Sequence, residues 1–165
     1  MTLTVTDSAS ALLYWLKTSD SATAIRALVQ GGESNIFEAG DLTVGILTEA
    51  QSARRTAGDE DTKILALSVH DAGEETHGQV SSVQHVVIRL FDRDRGYRNI
   101  RTVRDLIRNA LTYDLALDAA EAGGETIGFL NVVFVGRTGY RRSVEYAADF
   151  EALTYSSLIQ SEEDD

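Results

Sequence analysis

The chain has 165 residues, 26 Asp+Glu against 15 Lys+Arg, a formal charge of -11, and neither Cys nor Pro. That length suits one domain, and 44 Leu, Ile, Val and Phe residues give enough apolar surface for a sheet-plus-helix core, which excludes a wholly disordered chain. Disulfide scaffolds, thiolate zinc sites and cysteine nucleophiles are excluded together, and with no apolar run of about 18 residues and no basic-then-apolar N-terminus, the expectation is a soluble cytoplasmic product.

In chain order, Thr6 or Asp7 can cap a first helix carrying Leu12, Leu13, Trp15 and Leu16. Ser19 or Asp20 can cap a second, with Ile25, Leu28 and Val29, which Gly31-Gly32 ends. Leu42, Val44 and Ile46 alternate as a short strand would. Glu49 to Thr62, rich in charge and poor in large apolar residues, reads as a long mobile loop. Ile64–Val69 and Val83–Asp92 read as strands, the second with Val86, Ile88 and Leu90 on one face and His85, Val87, Arg89 and Phe91 on the other. The polar link between them is too short for a crossover helix, so they should pair antiparallel. Arg93–Tyr97 is a turn. Ile100, Val103, Leu106, Ile107, Ala110 and Leu111 then follow helical spacing behind Asn99 as cap, with Arg101, Arg104 and Arg108 in one stripe on another face. Ile127–Val135 is a strand, 136–141 a turn, and Arg142–Tyr155 a closing strand. There Val144, Tyr146 and Phe150 oppose Ser143, Glu145, Asp149 and Glu151. The fold class is α+β: a mainly antiparallel sheet of about five strands, with N-terminal helices and one central helix packed on a sheet face. Residues 1–160 form one domain, and the acidic run 161–165 a mobile tail.

Charge is distributed unevenly. The bases comprise 13 Arg and only Lys17 and Lys63, and the acid-rich, lysine-poor surface points to a protein built for molar salt, with an arginine-biased genome as the other source of such a composition. Seven Arg lie between Arg89 and Arg108, and Arg137, Arg141 and Arg142 add three.

Motifs for chemistry are few. His70, His77 and His85, with Glu74 and Glu75, lack the spacing that forces convergence on a metal, and surface or sheet-edge histidines are the better reading. Asp92-Arg93-Asp94-Arg95-Gly96 resembles a calcium loop only at its start: the glycine falls one place early, and Val103 stands where the closing Glu belongs. A salt-bridged strand-to-helix turn is the alternative. No nucleophile elbow, phosphate-binding loop or dinucleotide fingerprint occurs, so no catalytic, cofactor-binding or metal-binding residue is assigned and the chain does not read as an enzyme. The arginines have three readings: forks that pair with carboxylates of a neighbouring copy, intramolecular pairs such as Arg101 with Asp105, or phosphate contacts with Tyr97 and Tyr140 stacking.

The opening Ala11-Leu12-Leu13 through Leu28-Val29-Gln30-Gly31 resembles the N-terminal helices of tail-completion proteins, or tail terminators, of long-tailed phages. Val83–Phe91 running into Ile100–Leu111, then Tyr140, Arg142, Val144, Tyr146 and Asp149, resembles that family's strand, helix and closing strands. The resemblance covers nearly the whole chain and rests on element order and apolar pattern. It implies a structural virion protein, a ring of usually six copies on the head-proximal end of the tail tube. Such a ring ends tube polymerisation and joins the tail to a neck or head-completion protein. Host cytoplasm during assembly and the virion afterwards are the implied locations, and a salt-loving archaeon the implied host. The long 49–62 loop and acidic tail are not required by the family pattern. Related readings are a neck or head-tail adaptor, a small nucleic-acid-binding regulator and a metal-dependent hydrolase around His70–His85.

A ring needs two complementary surfaces per subunit. The expected pair is Arg101, Arg104 and Arg108 against Glu145, Asp149 and Glu151, with a carboxylate-lined lumen that lets DNA pass without specific binding.

Overall fold

The computed structural model describes residues 8–77, 81–111 and 131–160. Its helices are α1 (Ser8–Thr18), α2 (Thr23–Ala27), α3 (Val44–Ala57) and α4 (Arg98–Ala110). Its strands are β1 (Ile36–Glu38), β2 (Ala66–His77), β3 (Ser81–Asp92), β4 (Asn131–Arg137), β5 (Arg141–Ser143) and β6 (Ala148–Gln160). One sheet runs β1-β2-β3-β6-β4, with β5 beside β4 along the same edge of β6. β1 pairs parallel to β2, and the other pairings are antiparallel. The class is α+β, as the element order implies.

Period-2 alternation sorts the sheet into two faces. Leu67 and Val69, Val86, Ile88 and Leu90, and Leu153 and Tyr155 pack against α1, α2 and α4 through Leu12, Trp15, Leu16, Ile25, Ile100, Val103 and Ile107. Ala66, Phe91 and Ala148 point the other way, into a smaller core under α3 with Leu47 and Ala50. The hairpin of β2 and β3 is antiparallel as expected, pairing Leu67 with Leu90 and Val69 with Ile88. β2 runs to His77, so most of the polar link between the two strands is itself strand.

Ser19 caps the short turn before α2 through its side-chain oxygen, which accepts from Ser21 N at 3.2 Å. Gly31 follows at φ 81, and a Cβ there would lie 2.9 Å from Asn35 Nδ2, so the stop requires glycine.

The segment after it differs from expectation. Leu42, Val44 and Ile46 do not form a strand, and 49–62 is not a mobile loop: α3 occupies Val44–Ala57. Thr43 is its N-cap, accepting from Ile46 N at 3.2 Å. Leu42 just before the cap and Leu47 in the first turn share one core as a hydrophobic staple, and Val44 and Ile46, the apolar residues between them, complete a run that imitates strand alternation from Leu42. Gly58 closes the helix at φ 74. The turn after it is pinned by Asn99 Nδ2, which donates to Glu60 O at 2.8 Å, and by Arg98 on Asp61 at 2.9 Å.

Two further expectations are corrected. Asn99 does not cap α4: Tyr97 holds that place without a side-chain bond, and Asn99 is buried in the first turn, donating backwards. The run 142–155 is not one strand. β5 ends at Ser143, and a turn follows in which Ala147 adopts φ 49, before β6 begins at Ala148. Val144 and Glu145 therefore sit in a turn, with Val144 93% exposed. Part of the expected 127–135 strand, the capping residues Thr6 and Asp7, and the tail 161–165 lie outside the described residues.

Candidate subunit interface

The arginine-rich segment leaves the sheet at Asp92, turns, and enters α4, so its guanidinium groups fan out around one end of the sheet. Most find partners inside the chain. The most deeply placed pair joins Asp92 to Arg54, which comes from α3; both side chains are about 1% exposed. Arg54 Nη1 also donates to Lys63 O at 2.8 Å, and its Nη2 to Arg93 O at 3.1 Å. Burial pushes the Asp92 carboxyl above the ordinary carboxylate range, while Arg54 and the Arg93 N–H pull it back. Arg93 donates to Thr48 Oγ1 at 2.9 Å and to Tyr146 O at 3.0 Å, tying α3 to the β5–β6 turn. Arg95 is bound to Glu60 and Asp61. The 92–97 stretch is the salt-bridged strand-to-helix turn that its alternating charges imply, with Arg54 as an additional member.

A second cluster lies at the same end of the sheet, on the neighbouring strand β6. Glu151 shares the β6 face with Leu153 and Tyr155 and is fully buried. Its Oε1 accepts from Arg137 Nη1 at 3.0 Å and lies 3.6 Å from Arg104 Nη1. The Tyr97 hydroxyl accepts from both guanidinium groups. Burial and then the Glu151 carboxylate push the Tyr97 phenol up. Tyr140 packs edge-on against Tyr97 at 5.4 Å between centroids, and burial followed by Asp149 raises its phenol to about 12.

The six residues expected at an interface are thus divided. Arg104 and Glu151 meet within one subunit. Asp149 is held by Arg142 of the same chain at 3.4 Å. Arg108 lies over the Phe134 ring, 3.9 Å from its centroid, at the margin of α4 nearest β4. Arg101 and Glu145 are exposed. Arg101 makes no ion pair among the described residues, and Asp105 pairs with Arg104 instead. Arg137 and Arg142 count among the clustered arginines of the sequence but not among the six expected interface residues, and the Arg54–Asp92 pair has no signal in the sequence. The signal for Glu151 was its parity with Leu153 and Tyr155, which places an acid on a core face, where it needs a cation.

His70 and His85 lie on neighbouring strands, near the Asp71/Gly73 register shift. Among the described residues no group of three or more His, Cys, Asp or Glu is placed to hold a metal ion. No described helix is long and apolar enough to cross a membrane.

No protein-family model matches the sequence, and a search of curated proteins gives no match. Among solved structures, a chain from the "Virion of native gene transfer agent (GTA) particle" superposes with a TM-score of 0.52 over 90% of this chain and 92% of that one, at 14% identity. The likeness is one of fold. It spans the sheet and its helices almost end to end, with no large part of either chain left over.

Proposed function

We propose that this chain is a structural virion protein that assembles with copies of itself into a ring, usually six-membered in the resembled family, at the head-proximal end of a tail tube. There it stops tube growth and joins the tail to a neck or head-completion protein. The observation that carries this reading is the full-length fold likeness to a chain of a gene transfer agent particle. The resemblance of element order to tail terminators points the same way. The distribution of arginine also supports a structural role: of the seven between Arg89 and Arg108, Arg93, Arg95, Arg98 and Arg104 have partners inside the chain, and Arg89 and Arg108 lie over rings. Few are left for phosphate, which weighs against a nucleic-acid-binding regulator. The acid-rich, lysine-poor composition makes molar salt the expected working medium.

The test is electron microscopy of the purified protein in high salt, alone and added to growing tail tubes. Rings of uniform diameter that cap one tube end support the reading. Rings found instead at the portal side of the neck would favour an adaptor. A protein that never joins a particle, or binds DNA with a steep salt dependence, overturns it.

A further inference from the structure

Resting on the ring reading, we propose that the two opposite edges of the sheet are the two halves of the copy-to-copy contact: the Val144 turn and its arginines on one subunit seat in the groove between α3 and β1 on the next.

The groove has a volume of about 350 Å³. Phe37, Ile46, Ala50 and Ala53 supply its apolar surface, with Glu49 and Gln30 on the rim. Phe37 and Ile46 are half-buried, and the Gln30 side-chain oxygen is buried with no hydrogen-bond partner among the described residues. On the opposite edge, Val144 stands 93% exposed at the tip of the β5–β6 turn. A large aliphatic side chain so fully in water is stabilised by any apolar seat it can reach. It cannot reach the groove of its own chain. Four inter-strand spacings separate β1 from β5, about 19 Å at the usual strand separation. The two features also face opposite ways, because α3 turns Ile46, Glu49 and Ala53 toward β1 and Thr48 toward Arg93 and the β5–β6 turn.

Charge selects a second copy as the occupant. Between Arg26 and Arg54 the chain has no base; of the exposed acids in that stretch, Glu49 lies on the groove rim and Glu33 sits between the lining residues Gly31 and Ser34, neither in an ion pair among the described residues, while Glu38 faces the α1 side of the sheet. The other edge presents guanidinium: Arg108, Arg137, Arg141 and Arg142 are exposed, while Glu151 is buried, Asp149 lies under Arg142, Asp105 is paired with Arg104, and among the described residues there Glu145 adds an open carboxylate. In a chain of formal charge -11, this margin is where positive surface collects. An acidic, concave edge and a basic, convex edge on opposite sides of one subunit make a heterologous contact, the kind that propagates head to tail and closes into a ring if the rotation allows. Concentrated salt screens the ion pairs and strengthens the Val144 contact, so the two terms cover different conditions.

The test uses Val144→Asp and Ala53→Trp, both at exposed positions where folding is expected to be undisturbed, checked by circular dichroism. Particle masses are read by light scattering in high salt. The inference predicts that wild type assembles, and that each variant alone stays at monomer mass, with self-association weakened by about thirtyfold or more. An equimolar mixture should give a species of twice the monomer mass and nothing larger, because the intact turn of one variant meets the intact groove of the other. A mixture that stays monomeric, or a Trp variant that assembles like wild type, overturns the edge pairing while self-assembly stands. The chain has no cysteine, so an Ala53→Cys, Val144→Cys double variant gives a second readout, in which oxidation should produce a ladder of multimers. Wild type that stays monomeric at every concentration and salt, together with no ladder, overturns both this inference and the ring reading.

Discussion

Asp92 and Glu151 are both buried acids held by arginine, yet they are built differently. Asp92 has one guanidinium, Arg54, sealed with it between α3 and the end of β3, and Arg54 also donates from Nη1 and Nη2 to two backbone carbonyls, while its Nε has no partner among the described residues. Glu151 divides its charge between Arg104, 12% exposed, and Arg137, 45% exposed, at the margin where β4 meets β6. The first is an internal tie with no substitute. The second is a shared tie whose outer member reaches solvent. A sealed pair is little affected by salt, whereas a shared one at a margin can exchange partners.

The comparison is broken most severely at Arg54. Arg54→Met keeps much of the side-chain length but leaves the Asp92 carboxylate buried and unpaired, and urea unfolding should show a loss of about 3–5 kcal/mol. Arg54→Met combined with Asp92→Leu should recover much of it. At the other cluster, Arg104→Ala alone should cost about 1.5–3 kcal/mol, and Arg137→Ala should cost less than Arg104→Ala because its guanidinium reaches solvent, each leaving the other cation in place. The double variant should cost more than the sum, a coupling that a double-mutant cycle measures. Reversal at Arg104→Glu would set two acids together in the core, so it tests the fold before it tests a ring. Thr43→Ala, which removes the cap of α3, should lower stability by about 1 kcal/mol in the same assay.

The smallest effect concerns His70. Burial, reinforced by the Arg89 guanidinium, holds its imidazole below the ordinary range, with Asp71 pulling the other way. Because the folded value lies below the unfolded one, the stability gained from neutral His70 is present above the unfolded pKa of about 6.5 and is lost as pH falls through the folded value. Denaturation midpoints measured between about pH 5 and about pH 8 should show this slope, and His70→Gln should flatten it.

What was legible from the sequence followed how cleanly each segment kept one period. α4 and the β2–β3 pair have apolar positions uninterrupted by charge, and were read with the right type and pairing. α3 was missed because Arg54 occupies a core-facing position seven residues after Leu47, and because Leu42 belongs to the staple and not to a strand. The break at Ala147 was invisible because the parity on its two sides happens to agree, so Val144 was assigned to a strand and not to a turn. Pairing within the chain is a tertiary fact: nothing in the order of residues says that Arg104 reaches Glu151 sooner than a neighbour's acid. For the same reason the expected interface residues were plausible in type while three of them, Arg104, Asp149 and Glu151, were already committed.

β1 is three residues long and is the parallel strand of the sheet, joined to β2 through the whole of α3. Its Phe37 also lines the groove. A short rim strand of this kind opens at low cost while the centre stays closed. The backbone amides of Phe37 and Glu38 should therefore be among the quickest of the sheet to trade hydrogen for deuterium in an isolated subunit, and a neighbour seated against them would slow that trade.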